Sequence, residues 1–137
     1  MVARMTRNEA WSYFEHPLTT AAVAERGKMA CLDTSTGYLA LGATSTTLRP
    51  IGYFDEDATG DETTNVRVRL FDEIRVHWWA NDTGGTPVVA ADVGSLCYVL
   101  DDSTVTGDAT GASSAGRVWG TNATNGVAVE MAGFDAD

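Results

Sequence analysis

The stretch VRVRL (66–70), followed by FDE (71–73) and IRVHW (74–78), alternates apolar and polar residues over two consecutive runs. Successive side chains of a strand point to opposite faces of the sheet, so this period of two is typical of strands with one buried face. The sequence therefore predicts two strands, joined as a hairpin that turns near Asp72, with the apolar residues of both runs facing the core.

The polar residues of this hairpin are expected to share its other face. Three of the nine cations of the chain and one histidine would then line one small surface, formed by Arg67, Arg69, Arg75 and His77. We expect the arginines to contact carboxylates of a partner or of a neighbouring protomer, and to disfavour protonation of the histidine.

Short strands are also expected on both sides of the hairpin. Pro50 lacks an N–H donor. This predicts that residues 49–54 form an edge strand or that the proline lies at the start of a strand. The dipeptide Asn125-Gly126 is a strong hairpin signal. About eight short strands separated by turns predict an all-β fold, a compact small β-barrel or β-sandwich. The remaining strand candidates are residues 28–33, 38–41, 96–100, 116–120 and 126–131.

The domain organisation expected from the sequence is an arm, a body and a tail. Residues 1–25 show no clean period and carry Trp11, Tyr13 and Phe14 within four positions. Exposed aromatic rings are unfavourable in water, so these residues predict an extended N-terminal arm that docks its aromatics on a partner; a disordered terminus is the alternative. Residues 26–132 form the β domain, and residues 133–137 an acidic tail.

Composition and charge exclude several classes of function. The chain has 137 residues, of which 44% are hydrophobic, enough for one core. Its formal charge of −10 disfavours nucleic acid and anionic membranes as partners. No apolar run reaches the length of a membrane span and no leader is recognisable, which predicts synthesis in a cytoplasm. Cys31 and Cys97 lack zinc spacing, and buried free thiols are favoured over a disulfide.

The chain has no recognisable catalytic machinery. Neither His16 nor His77 lies in a nucleophile motif, and no phosphate-binding loop occurs. The acidic segment 55–62 holds five carboxylates but lacks the ligand spacing of a calcium-binding loop, so a solvated tip is expected. The sequence therefore predicts a protein that is not an enzyme and has no catalytic, cofactor or metal site.

Five segments resemble tailed-bacteriophage capsid decoration, or cement, proteins: VRLFDEIR (68–75), WWAND (78–82), ADVGSLCYVLDD (91–102), AGRVWG (115–120) and GVAVEM (126–131). The resemblance covers residues 27–132 and consists of strand and turn patterns. It implies a β-tulip-like domain with an N-terminal arm, located on the outside of the virion capsid. It also implies a homotrimer that binds major capsid protein subunits and stabilises their contacts.

Two other functions remain open from the sequence. A virion fibre or tail-associated module would recognise a host surface glycan by stacking sugars on an exposed Trp79 or Trp119. A trimeric β enzyme that hydrolyses nucleotides has a similar length, but its phosphate loops and metal-binding acids are not recognisable here.

Overall fold

The computed structural model describes residues 13–71 and 76–131. The protein is all-β and includes a small closed barrel, as the sequence predicts. Twelve strands are present in the described residues: β1 Tyr13–Pro17, β2 Val23–Ala24, β3 Met29–Asp33, β4 Leu39–Leu41, β5 Leu48–Phe54, β6 Ala58–Thr59, β7 Asn65–Leu70, β8 Val76–Asn81, β9 Leu96–Val99, β10 Thr104–Thr106, β11 Ser114–Asn122 and β12 Gly126–Met131.

The first half of the chain forms a curved five-stranded sheet in the order β1-β7-β5-β3-β4. A parallel bridge between Leu18, just after β1, and Leu39 in β4 brings its two edge strands together. The concave side holds a core of its own, to which Phe14, Ile51 and Val68 belong. The strand pair β2–β6 forms a separate small sheet.

The second half forms a closed barrel in the order β10-β8-β12-β11-β9. Its core contains Trp79, Val99 and Val129, and four buried residues of the first half pack into it: Met29, Cys31, Leu48 and Phe71. The barrel and the first sheet therefore share one core. Cys31 and Cys97 are both buried free thiols in this core, and burial raises the pKa of each to about 12.

The predicted hairpin between the two alternating runs is wrong. β7 pairs with β1 and β5, whereas β8 pairs with β10 and β12, so the runs belong to different sheets. The predicted facing is correct for β7 but reversed in β8, where Trp79 is buried and Trp78 is 45% exposed. Alternation in β8 is compatible with either register, and a shift of one residue exchanges its two faces.

The expectation that residues 49–54 form an edge strand, or that Pro50 lies at the start of a strand, is also wrong. β5 begins at Leu48 and lies in the middle of the first sheet, between β3 and β7. Pro50 is tolerated because its partner Cys31 lies at a register shift in the β3–β5 ladder, and because the pairing with β7 begins only at Gly52. A proline at such an irregularity removes no ladder hydrogen bond.

Residues 13–25 of the predicted arm belong to the β body. Tyr13–Pro17 pairs along its whole length with β7, and Phe14 is buried in the core of the first sheet. Residues 1–12, the segment 72–75 and residues 132–137 lie outside the described residues, and with them Trp11, Arg75 and the predicted acidic tail.

The acidic segment 55–62 includes strand β6, and Asp57 and Asp61 are exposed as a solvated tip requires, but its carboxylates also bind the backbone. Asp57 accepts a hydrogen bond from the backbone N–H of Arg26, and Glu62 accepts one from that of Thr20. Asp61 accepts bonds from the N–H groups of residues 63 and 64, which lower the pKa of this carboxyl. The carboxylates thus satisfy backbone donors that the loop would otherwise leave unpaired.

Candidate interaction surface

The pairing of β1 with β7 brings two arginines and a tyrosine together. Tyr13 lies directly opposite Arg69, and the Nη1 of Arg69 donates a 2.9 Å hydrogen bond to the tyrosine hydroxyl. The guanidinium carbons of Arg67 and Arg69 lie 5.4 and 5.1 Å from the centre of the Tyr13 ring. Both distances are within the range of a cation–π contact.

The acidic loop holds one of these arginines in place. The Nε of Arg67 donates to Asp55 Oδ2 at 3.1 Å, and the backbone N–H of Arg67 donates to Glu56 Oε2 at 2.9 Å. The side chain of Arg67 is nevertheless 46% exposed. Its guanidinium is therefore oriented by the protein while part of it still faces solvent.

Tyr53 connects this group to His77. Tyr53 lies opposite Arg69 on the other side of β7, and directly paired residues share a face of the sheet. The ring centres of Tyr53 and His77 are 4.9 Å apart. We call the set Tyr13, Tyr53, Arg67, Arg69 and His77 the arginine–tyrosine surface.

The outcome for the predicted site residues is mixed. Tyr13, Arg67 and Arg69 meet as one cluster, and His77 reaches it through Tyr53 rather than by sharing a hairpin face. Phe14 is a core residue, stacked on His16 at 5.4 Å between ring centres, and cannot serve as a docking aromatic in this fold. Trp11 and Arg75 lie outside the described residues.

His77 is largely enclosed by aromatic rings. Its ring centre lies 5.4 Å from that of Phe71 and 5.2 Å from that of Trp79. Burial lowers the pKa of His77 below its ordinary value of 6.5. The predicted direction is confirmed, but loss of solvation causes the shift, not the neighbouring arginines.

The pH dependence of stability should contain a contribution from His77. Because its pKa is lower in the folded than in the unfolded state, the unfolded chain binds more protons below about pH 6.5. The contribution of His77 to the free energy of unfolding is fully present above that pH and is lost as the pH falls towards the pKa of His77 in the folded state. We expect His77→Gln to lose less stability than the wild type between pH 7 and pH 5, measured by urea unfolding. An identical loss in both proteins would contradict this assignment.

A second exposed surface lies on the outside of the barrel. Trp119 is 61% exposed and Trp78 is 45% exposed, whereas Trp79 has a buried indole that donates to the sulfur of Met131 at 3.3 Å. The sequence does contain a signal for this surface. Two consecutive tryptophans on one strand point to opposite faces, so Trp78 and Trp79 cannot both enter the core.

The described residues contain no cluster of three or more potential metal ligands, and no helix among them is long and apolar enough to span a membrane. Comparison of the chain with protein-family models, with curated proteins and with solved structures gives no match.

Proposed function

We propose that this protein is a structural virion protein that binds the outer surface of a phage capsid, as a homotrimer, and stabilises contacts between major capsid protein subunits. The resemblance of residues 27–132 to capsid decoration proteins supports this role. A closed barrel sharing its core with a second sheet gives a rigid body, which suits a protein that must hold other subunits at fixed positions.

The observation that carries the proposal is the arginine–tyrosine surface. Arginine and tyrosine are enriched at protein interfaces, because both combine a large contact area with directed hydrogen bonds. In a chain with a net charge of −10, two arginines held over one tyrosine concentrate positive charge, and the exposed part of the Arg67 side chain, which Asp55 orients, can contact a partner carboxylate. The acidic remainder of the surface would keep decorated particles apart.

The test is the addition of purified protein to expanded capsids that lack it. We expect the protein to co-sediment with capsids and to raise the temperature at which they open. Many weak contacts repeated over a shell give a large total stabilisation. Capsids that remain bare at saturating protein concentration would refute the proposal.

Reversal of one charge should separate binding from folding. We expect Arg69→Glu to weaken capsid binding about tenfold, because the glutamate would repel the carboxylates of the shell. The control for charge is Arg49→Glu, which reverses an exposed charge on β5 of the same sheet, whereas Arg69 is partly buried. Urea unfolding of both variants supplies the second measurement. Losses of stability and binding of equal size in Arg69→Glu would instead identify a purely structural role.

A second candidate function rests on Trp119, whose indole is exposed as glycan stacking requires. In this reading the protein is a fibre or tail-associated module that recognises a host surface glycan. The buried Trp79 cannot take part. Immunogold labelling of the tail instead of the head, together with glycan binding abolished by Trp119→Ala, would favour this candidate.

A further inference from the structure

The outer face of the barrel carries two adjacent rows of side chains. Trp78 lies opposite Ala128, which in turn lies opposite Gly120. Trp119 is the extra residue of β11 at the register shift between Val118 and Gly120, and its side chain is exposed. The next row runs across four strands and consists of Val76, Glu130, Arg117 and Leu96. We call Trp78, Trp119, Ala128, Gly120 and Glu130 the tryptophan face.

Small residues separate the strand positions of the two tryptophans. Ala128 lies between Trp78 and Gly120, the residue next to Trp119, and a Cβ atom added to Gly120 would meet nothing within 4 Å. Ala128 points away from the core but is only 5% exposed, so neighbouring side chains lie over it, and Trp78 directly opposite is the largest. Two strand spacings, about 10 Å, separate Trp78 from Gly120.

Glu130 supplies the polar group of this face. Its Oε1 accepts a 3.2 Å hydrogen bond from the indole Nε1 of Trp119, which orients that ring. Arg117 is its direct neighbour across the strands, but the guanidinium of Arg117 donates to the carbonyl of Gly94 instead. Within residues 13–71 and 76–131, Glu130 therefore has no ion-pair partner.

Two indoles and a carboxylate that forms no ion pair with any described residue match the chemistry of a cation. Tryptophan is the best aromatic partner for a guanidinium or ammonium group, and a carboxylate adds a charge-assisted hydrogen bond. The net charge of −10 attracts basic partners at longer range. We propose that the tryptophan face binds a segment of a partner protein that carries arginine or lysine. The cationic side chain lies between Trp78 and Trp119, beside Glu130.

This site is separate from the arginine–tyrosine surface, which would take acidic groups. The inference does not rest on the proposed capsid role, because a basic segment of any partner protein can bind the tryptophan face. Failure of capsid binding and failure of cation binding are therefore distinguishable results.

The probe is a short glycine peptide with two arginines, compared with the same peptide carrying two neutral citrullines. In ¹H–¹⁵N spectra of the full chain, we expect the arginine peptide to shift the indole N–H signals of Trp78 and Trp119 but not that of the buried Trp79. The affinity should fall as salt is added, since screening weakens exposed charge pairs. An equal response to the citrulline peptide would overturn the proposal.

Variants of the tryptophan face test whether the Glu130 carboxylate and the Trp119 indole bind the arginine peptide. Glu130→Gln keeps an oxygen that can accept from the Trp119 indole but removes the charge, and we expect about threefold weaker binding. Trp119→Ala should weaken binding about fourfold, and the double change about tenfold. The matched control, Glu25→Gln, removes an exposed carboxylate from the first half of the chain and should leave the affinity unchanged.

Two other results would also overturn the proposal. One is a shift of the two exposed indoles with an oligosaccharide and none with the arginine peptide, which would identify a sugar site. The other is movement of the same signals on dilution of the protein alone, which would show that a second copy covers this face. Equal losses of affinity in Glu130→Gln and Glu25→Gln would likewise overturn it, because the affinity would then depend on the net charge of the chain and not on the position of Glu130.

Discussion

Replacement of Trp79 by alanine should destabilise the protein by about 3–5 kcal/mol, the usual cost of deleting a large buried aromatic side chain. The indole is 4% exposed and meets Phe71 edge to face at 6.2 Å between ring centres. It also stacks on His77 and donates to the sulfur of Met131. Since small domains have only about 5–15 kcal/mol of stability, Trp79→Ala should approach the limit for folding. Urea unfolding followed by circular dichroism measures the change.

The neighbouring residue provides the control for this prediction. Trp78→Ala makes the same chemical change on the same strand but on its exposed face, so we expect a loss of about 1 kcal/mol or less. Both variants remove one tryptophan from β8, so any change in the strand propensity of β8 is the same in both and cancels when they are compared. If Trp78→Ala were as destabilising as Trp79→Ala, the assigned register of β8 would be wrong.

Replacement of Gly52 by alanine should destabilise the protein by about 3 kcal/mol or more. A Cβ atom at this position would lie 2.0 Å from the carbonyl oxygen of Arg69, a backbone atom of the paired strand. No side-chain rotation can relieve such a contact, so β5 and β7 must move apart at the centre of the first sheet. The change in the urea midpoint gives the magnitude, and hydrogen exchange at β7 should accelerate.

Gly120→Ala is the matched control for this substitution. Gly120 also lies in a paired strand, but a Cβ atom there meets nothing within 4 Å. We expect a change within about 0.5 kcal/mol. A similar loss in both variants would mean that strand glycines are needed for another reason than the close approach of β5 and β7.

Local patterns predicted the local structure well. Asn125-Gly126 marks the turn between β11 and β12, where Gly126 has a φ of +95° and the side chain of Asn122 accepts from the N–H groups of residues 124 and 125. Alternation in residues 66–70 gave the correct buried face of β7, because only one register places all three apolar residues in the core.

Pairing between distant strands could not be predicted in this way. Alternation states which face of a strand is buried but not which strand lies beside it. The contact of Tyr13 with Arg69 joins residues 56 positions apart and follows from the pairing of β1 with β7, for which neither segment carries a signal. The same limit explains why the predicted hairpin is wrong: β7 finds its partners earlier in the chain and β8 finds its partners later.

The shared core has a consequence for the protein as it leaves the ribosome. Residues 13–71 are made first and can close their own concave core, but their other face presents Met29, Cys31, Leu48 and Phe71, whose partners lie in the barrel. Until residues 76–131 have been synthesised and have closed, this apolar patch has nothing to cover it. Nascent chains would be prone to aggregate at that stage, and faster closure of the barrel would raise the yield of native protein.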